Sequence, residues 1–147
     1  MDNIDIKIKG SMVMTLAKPN GDIEVRRKDN IIVNGGFDFI CDALANASRP
    51  AAMGQIAVGT GSSTPVATQT TLGTELLRKS ATYAHKAGTK IFTLTTTFNE
   101  GEASGAIVEA GVFNSASGGV MLDRVTFSVI NKGADDVLTC QFQFTLS

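Results

Sequence analysis

The chain has 147 residues, of which 43% are hydrophobic and 18% charged, with a formal net charge of −1. That length suits one domain with a core large enough to fold without cross-links. The balanced charge gives no electrostatic case for nucleic acid or a membrane surface as partner. Cys41 and Cys140 are too few for a disulfide scaffold or a zinc site. Cys41 falls in a helical pattern and Cys140 in a strand pattern, so both are expected as core thiols, with a bridge between them left open. No apolar run approaches the roughly 20 residues that span a bilayer. The N-terminus also lacks the apolar centre of a signal peptide, so a soluble, unexported product is expected.

Ile4, Ile6 and Ile8 alternate with Asp5, Lys7 and Lys9, the period-2 pattern of a half-buried strand. Gly10 and Ser11 interrupt it, and Met12, Met14 and Leu16 resume it, which divides residues 1–11, an arm or leading strand, from a domain over 12–147. Pro19-Asn20-Gly21-Asp22 has the chemistry of a tight turn. Ile23 and Val25 begin a return strand whose Glu24, Arg26, Arg27 and Lys28 are expected in solvent. Asn34 is a candidate N-cap for a helix near 36–47, and Phe37, Ile40, Cys41 and Leu44 share one face of it. Pro50 lies beyond its end.

Ile56-Ala57-Val58 enters a long loop, residues 59–71, of Gly, Ser, Thr and one Pro, followed by a possible helical turn over 71–77. Beyond Ser80 the pattern is strand-like: Phe92 to Phe98, Ala106 to Phe113, Val125 to Val129 and Leu138 to Leu146, with polar turns between. Ala106–Phe113 is apolar on both faces apart from Glu109, as in a central strand. About seven strands at this spacing predict a mainly β, single-domain antiparallel β-sandwich, jelly-roll-like, with one short helix capping the core.

Motifs for chemistry are scarce. Gly59-Thr60-Gly61-Ser62-Ser63 lacks the ending of a phosphate loop. His85 is the single histidine, expected exposed or on an edge strand, and no ligand-spaced cluster suggests a metal. Glu109 stands out, because a carboxylate in an apolar strand must be paired or neutralised. Arg78 and Arg124 are its candidate partners, and Glu75 is a second carboxylate near Arg78. A structural ion pair tying the long loop to the sheet is the favoured reading over a catalytic acid of raised pKa. No catalytic residue and no cofactor is expected.

Three stretches carry a family resemblance. They are Gln55–Arg78, with its apolar strand, Gly-Thr-Gly, small residues with Pro, and Glu-Leu-Leu-Arg; Ile107-Val108-Glu109-Ala110-Gly111-Val112-Phe113; and Leu122-Asp123-Arg124-Val125-Thr126-Phe127. In these the last two thirds of the chain resemble tailed-bacteriophage virion structural proteins. The resemblance implies a non-enzymatic component of the virion, assembled in the host cytoplasm. The first expectation within that class is a capsid cement or decoration protein bridging subunits of the major capsid protein, as a homo-oligomer. A tail, baseplate or fibre component is the alternative, and a small carbohydrate-binding or hydrolase domain a further one. Two segments are candidates for subunit contact: the arm, through Ile4, Ile6 and Ile8, and the loop, through Thr60, Ser62, Ser63, Thr64 and Pro65. The arm either pairs within its own sheet or adds as a strand to a neighbour.

Overall fold

The computed structural model describes residues 5–147. Strand β1 (Ile8–Ala17) and strand β2 (Ile23–Ile32) form a hairpin. Its turn uses the expected chemistry: Gly21 sits at φ +92° and the Asn20 side chain accepts the Asp22 N–H at 2.9 Å. Gly10 and Ser11 do not interrupt β1. Gly10 is buried against the Phe144 ring, where a Cβ would come within 3.0 Å of Phe144 Cε1, so the small residue lets the strand continue.

The remaining strands are β3 (Gln55–Gly59), β4 (Glu75–Ser80), β5 (Thr82–His85), β6 (Ile91–Phe98), β7 (Gly105–Phe113), β8 (Met121–Lys132) and β9 (Val137–Leu146). Every pairing is antiparallel, in the order β4-β3-β7-β8-β2-β1-β9-β6-β5. β1 pairs with β9 from Ile8↔Leu146 to Ala17↔Val137, which joins the two ends of the chain. β4 and β5 stand at opposite ends of that order yet are separated in sequence by Ala81 alone. Lys79 Nζ donates from β4 to Thr97 O of β6 at 2.8 Å, so the single sheet curls until it is nearly closed into a barrel. Among the described residues the fold is therefore mainly β with one helix, as expected, and the nine strands form one hydrogen-bonded antiparallel sheet.

Inside lie Met12, Met14, Leu16, Ile56, Val58, Leu94, Phe98, Val112, Phe142 and Phe144, all with negligible exposure. A second, smaller cluster of Val33, Ala57, Leu72, Phe113 and Met121 forms on the outer side of β3, β7 and β8. Alternation explains both, since successive residues of a strand face opposite sides.

Several local expectations are corrected. The helix α1 spans Asn34–Ala45, and Val33 rather than Asn34 takes the cap position, with no side-chain cap. The chain passes from β2 into α1 with no linker, and Val33 N–H is already bonded to Leu122 O at 3.1 Å. The helix is seated through Gly36, where a Cβ would lie 2.3 Å from Leu122 O. Phe39, Ile40 and Ala43 are half-buried, while Phe37, Cys41 and Leu44 are exposed. The apolar face is thus turned by about one residue from the one expected. Cys41 is accordingly an exposed free thiol, and only Cys140 is a core thiol. Residues 71–77 form no helical turn; β4 begins at Glu75. In β2 Arg27 and Lys28 are exposed as expected, but Glu24 and Arg26 are half-buried and Ile23 and Val25 are exposed. Arg26 donates to Ser128 O and Val129 O at 3.1 and 3.0 Å, bridging to β8 where the backbones no longer pair.

Candidate functional site

The segment 60–74 crosses the outer face of β3, β7 and β8, and what holds it there is Glu109. The strand pattern dictates the placement: Ala110 and Val112 face the interior, so Glu109 and Gly111 face the loop. Glu109 and Arg124 have no exposure. Glu109 Oε1 accepts Arg124 Nε–H at 3.0 Å and Gly73 N–H at 2.7 Å. Its Oε2 accepts Gly61 N–H at 2.6 Å and Thr74 N–H at 2.8 Å. Arg124 Nη2 closes the ion pair at 3.0 Å. The guanidinium then donates to Ser63 O at 2.8 Å, Gln69 Oε1 at 3.1 Å and Gly61 O at 3.2 Å. Both limbs of the loop are thereby fastened to one buried ion pair, each charge meeting several hydrogen-bond partners, as a buried pair requires.

Arg78 and Glu75 form a separate pair, with Nη2–Oε1 at 2.6 Å and Nε–Oε2 at 3.1 Å. The Arg78 guanidinium carbon lies 3.7 Å from the Phe113 ring centroid, a cation–π contact. Its Nη1 donates to Ser115 O and Gly118 O, tying down the β7–β8 turn. The four charged residues singled out in the sequence are therefore two neighbouring clamps, and of the two candidate partners Arg124, not Arg78, meets Glu109.

The glycines follow from this geometry. A Cβ on Gly59 would lie 2.2 Å from Thr74 O, and one on Gly61 would lie 2.5 Å from Glu109 Oε2. A Cβ on Gly111 would lie 2.8 Å from Asp123 O. Gly61→Ala is expected to cost about 1–3 kcal/mol, as overpacking commonly does, read as a lower denaturation midpoint. Gly54→Ala, whose Cβ meets nothing closer than Ala52 O at 3.8 Å, should be near neutral and serves as the control.

The candidate contact residues are distributed as follows. Thr60, Ser62, Ser63 and Thr64 are exposed and Pro65 is half-buried. Ile4 lies outside the described residues, Ile6 is exposed, and Ile8 is half-buried and pairs with Leu146 of its own sheet. His85 is exposed on the edge strand β5, with Nδ1 2.7 Å from Ile91 O. Among the described residues no three His, Cys, Asp or Glu side chains converge to hold a metal ion, and no helix is long and apolar enough to cross a membrane.

Asp123 was not singled out from the sequence, yet it is fully buried in the interior. It pairs with the Asn30 side-chain amide and accepts Val112 N–H at 3.2 Å. Burial pushes its carboxyl up to about 7, against the lowering effect of those two hydrogen bonds. Burial, and then the Asp123 charge, push the Cys140 thiol up as well. The signal was present: Val125 and Phe127 set the inward face of β8, and period 2 puts Asp123 on it. Lys132 is also buried, donating to Asn99 O at 3.0 Å, and burial pulls its pKa down.

Comparison with protein-family models, curated proteins and solved structures finds no match to this chain.

Proposed function

We propose that the protein is a non-enzymatic structural component of a tailed-bacteriophage virion, and within that class a capsid cement or decoration protein bridging subunits of the major capsid protein. The observation that carries the reading is a convergence. The three stretches that resemble virion proteins, far apart in sequence, meet around Glu109 and Arg124 and serve one purpose, the shaping of the loop 60–74. That loop has no charged residue and exposes hydroxyls at Thr60, Ser62, Ser63 and Thr64. A loop held in one shape loses little entropy on docking, which suits a protein that makes many weak, repeated contacts on a symmetric shell. The carboxylate at the centre accepts N–H groups on both oxygens and has no exposure, which fits a structural role better than proton transfer.

The finer architecture we propose is sandwich-like in the jelly-roll manner. β2-β1-β9-β6-β5 and β4-β3-β7-β8 face each other across one core, and the backbone ladder between them at the β2–β8 seam consists of two residue pairs, Ile31↔Arg124 and Ile32↔Asp123.

The test is to add purified protein to bacteriophage capsids stripped of minor proteins and image them by cryo-electron microscopy. Regular density across capsomer boundaries, with shells that resist heat better, is the expected result. Bare capsids, with the protein recovered on tails, would move it to the tail or baseplate.

A further inference from the structure

An apolar groove of about 410 Å³ opens between α1, the segment 49–53 and the end of the sheet. Ile8, Ile40, Leu44, Met53, Tyr83 and Leu146 are among the residues lining it. Leu44 is 75% exposed and Tyr83 63%, so the groove leaves an unusual amount of large apolar surface in water. Arg49, at its rim, has no ion-pair or hydrogen-bond partner among the described residues, and is the one charged side chain lining the groove.

We infer that this groove receives the N-terminal arm of a second copy of the chain, with Ile6 seated among Leu44, Met53 and Tyr83. Three observations select that occupant. The arm starts at the groove itself, because Ile8 lines it while Ile6, two residues earlier and ahead of β1, is 89% exposed and is not among the lining residues. The arm also leaves its own sheet at this point: Lys7 exchanges backbone hydrogen bonds with Ser147 at 2.7 and 3.0 Å, while Asp5 and Ile6 belong to no strand pairing among the described residues. Finally the charges match, since the arm brings Asp5 beside Ile6 and the groove offers Arg49, which has no ion-pair partner among the described residues. An arm that leaves from the rim of its own groove needs only a two-fold axis close by to enter its partner's, and the exchange is then reciprocal and closed. The inference does not rest on the virion reading, since a dimer of this kind would form in free solution.

Sedimentation velocity on the full chain, from micromolar to high-micromolar concentration, is expected to show a monomer–dimer equilibrium. Ile6→Asp and Leu44→Asp alter exposed side chains, so each should leave the melting temperature unchanged at concentrations where the chain is monomeric and raise the dimer Kd about tenfold or more. In a Cys41→Ser background, chains carrying Ile6→Cys mixed with chains carrying Leu44→Cys should oxidise to a cross-linked pair. A monomer at every concentration would overturn the inference, as would a dimer that both aspartate variants leave intact. So would a chain carrying both cysteines that closes on itself at high dilution.

Discussion

Glu109→Ala is expected to lower the stability of the protein by about 3–5 kcal/mol, the usual result of removing one partner from a buried ion pair. For a domain of this size that corresponds to a fall of roughly 10–15 °C in melting temperature. The loss has two parts. Arg124 is left charged without its carboxylate in a place with no exposure, and the N–H groups of Gly61, Gly73 and Thr74 lose their acceptor. Glu109→Gln should be almost as costly, because an amide presents one oxygen and one NH₂ where both carboxylate oxygens accept hydrogen bonds. Whichever way the amide turns, its NH₂ meets donors: Gly61 and Thr74 on one side, Gly73 and Arg124 on the other. Differential scanning calorimetry checks this, with limited proteolysis reporting whether cleavage moves into the loop 60–74. A Glu109→Ala protein that melts within two or three degrees of the parent would show that the loop is held by other means.

What could be read from the sequence is what depends on alternation and on turn chemistry. The central strand with Glu109 in it, the strand ending at Leu146 and the Asn20-Gly21 turn all emerge from patterns a few residues long. The partner of Glu109 was narrowed to two arginines but not chosen, since the choice depends on β7 and β8 pairing Gly111 opposite Arg124. The orientation of α1 departs from its hydrophobic periodicity for a related reason. Its hydrophobic periodicity marks Phe37, Cys41 and Leu44, but the contact that seats it is a backbone approach at Gly36, which leaves no hydrophobic signal. The β4 strand was hidden because Glu75, Arg78 and Lys79 are ion-paired, so it carries no apolar alternation. At the end of β2 two successive isoleucines face opposite sides, so Ile31 is exposed and Ile32 buried.

That seam is also where the second large effect is expected, as a dependence of stability on pH. Asp123 lies opposite Ile32 in one of the two residue pairs that join β2 to β8. The groups facing it are the Asn30 amide from β2, Val112 N–H from β7 and the Cys140 thiol from β9. Asn30 Oδ1 is buried and accepts no hydrogen bond among the described residues, so the polar cluster is incompletely satisfied. With its carboxyl raised from 3.8 to about 7, the folded protein holds a proton here that the unfolded chain has already released. The stability this proton confers is complete below about pH 4, declines as pH rises towards 7, and is gone above it. Its full extent is on the order of 4 kcal/mol. Asp123→Asn removes the charge but sets its NH₂ against either the Asn30 amide or Val112 N–H, a cost that does not change with pH, so the melting temperature of the variant relative to the parent should rise between about pH 5 and pH 8. Taking the difference between the two proteins cancels groups of opposite sign, such as Glu102, whose pKa is lowered by its hydrogen bond from Lys79. Should the difference in melting temperature stay constant across that range, Asp123 does not hold a proton at neutral pH and the seam is insensitive to it. If it grows with pH as expected, ionisation of one buried carboxyl loosens the junction that holds the two halves of the sheet together at β2 and β8.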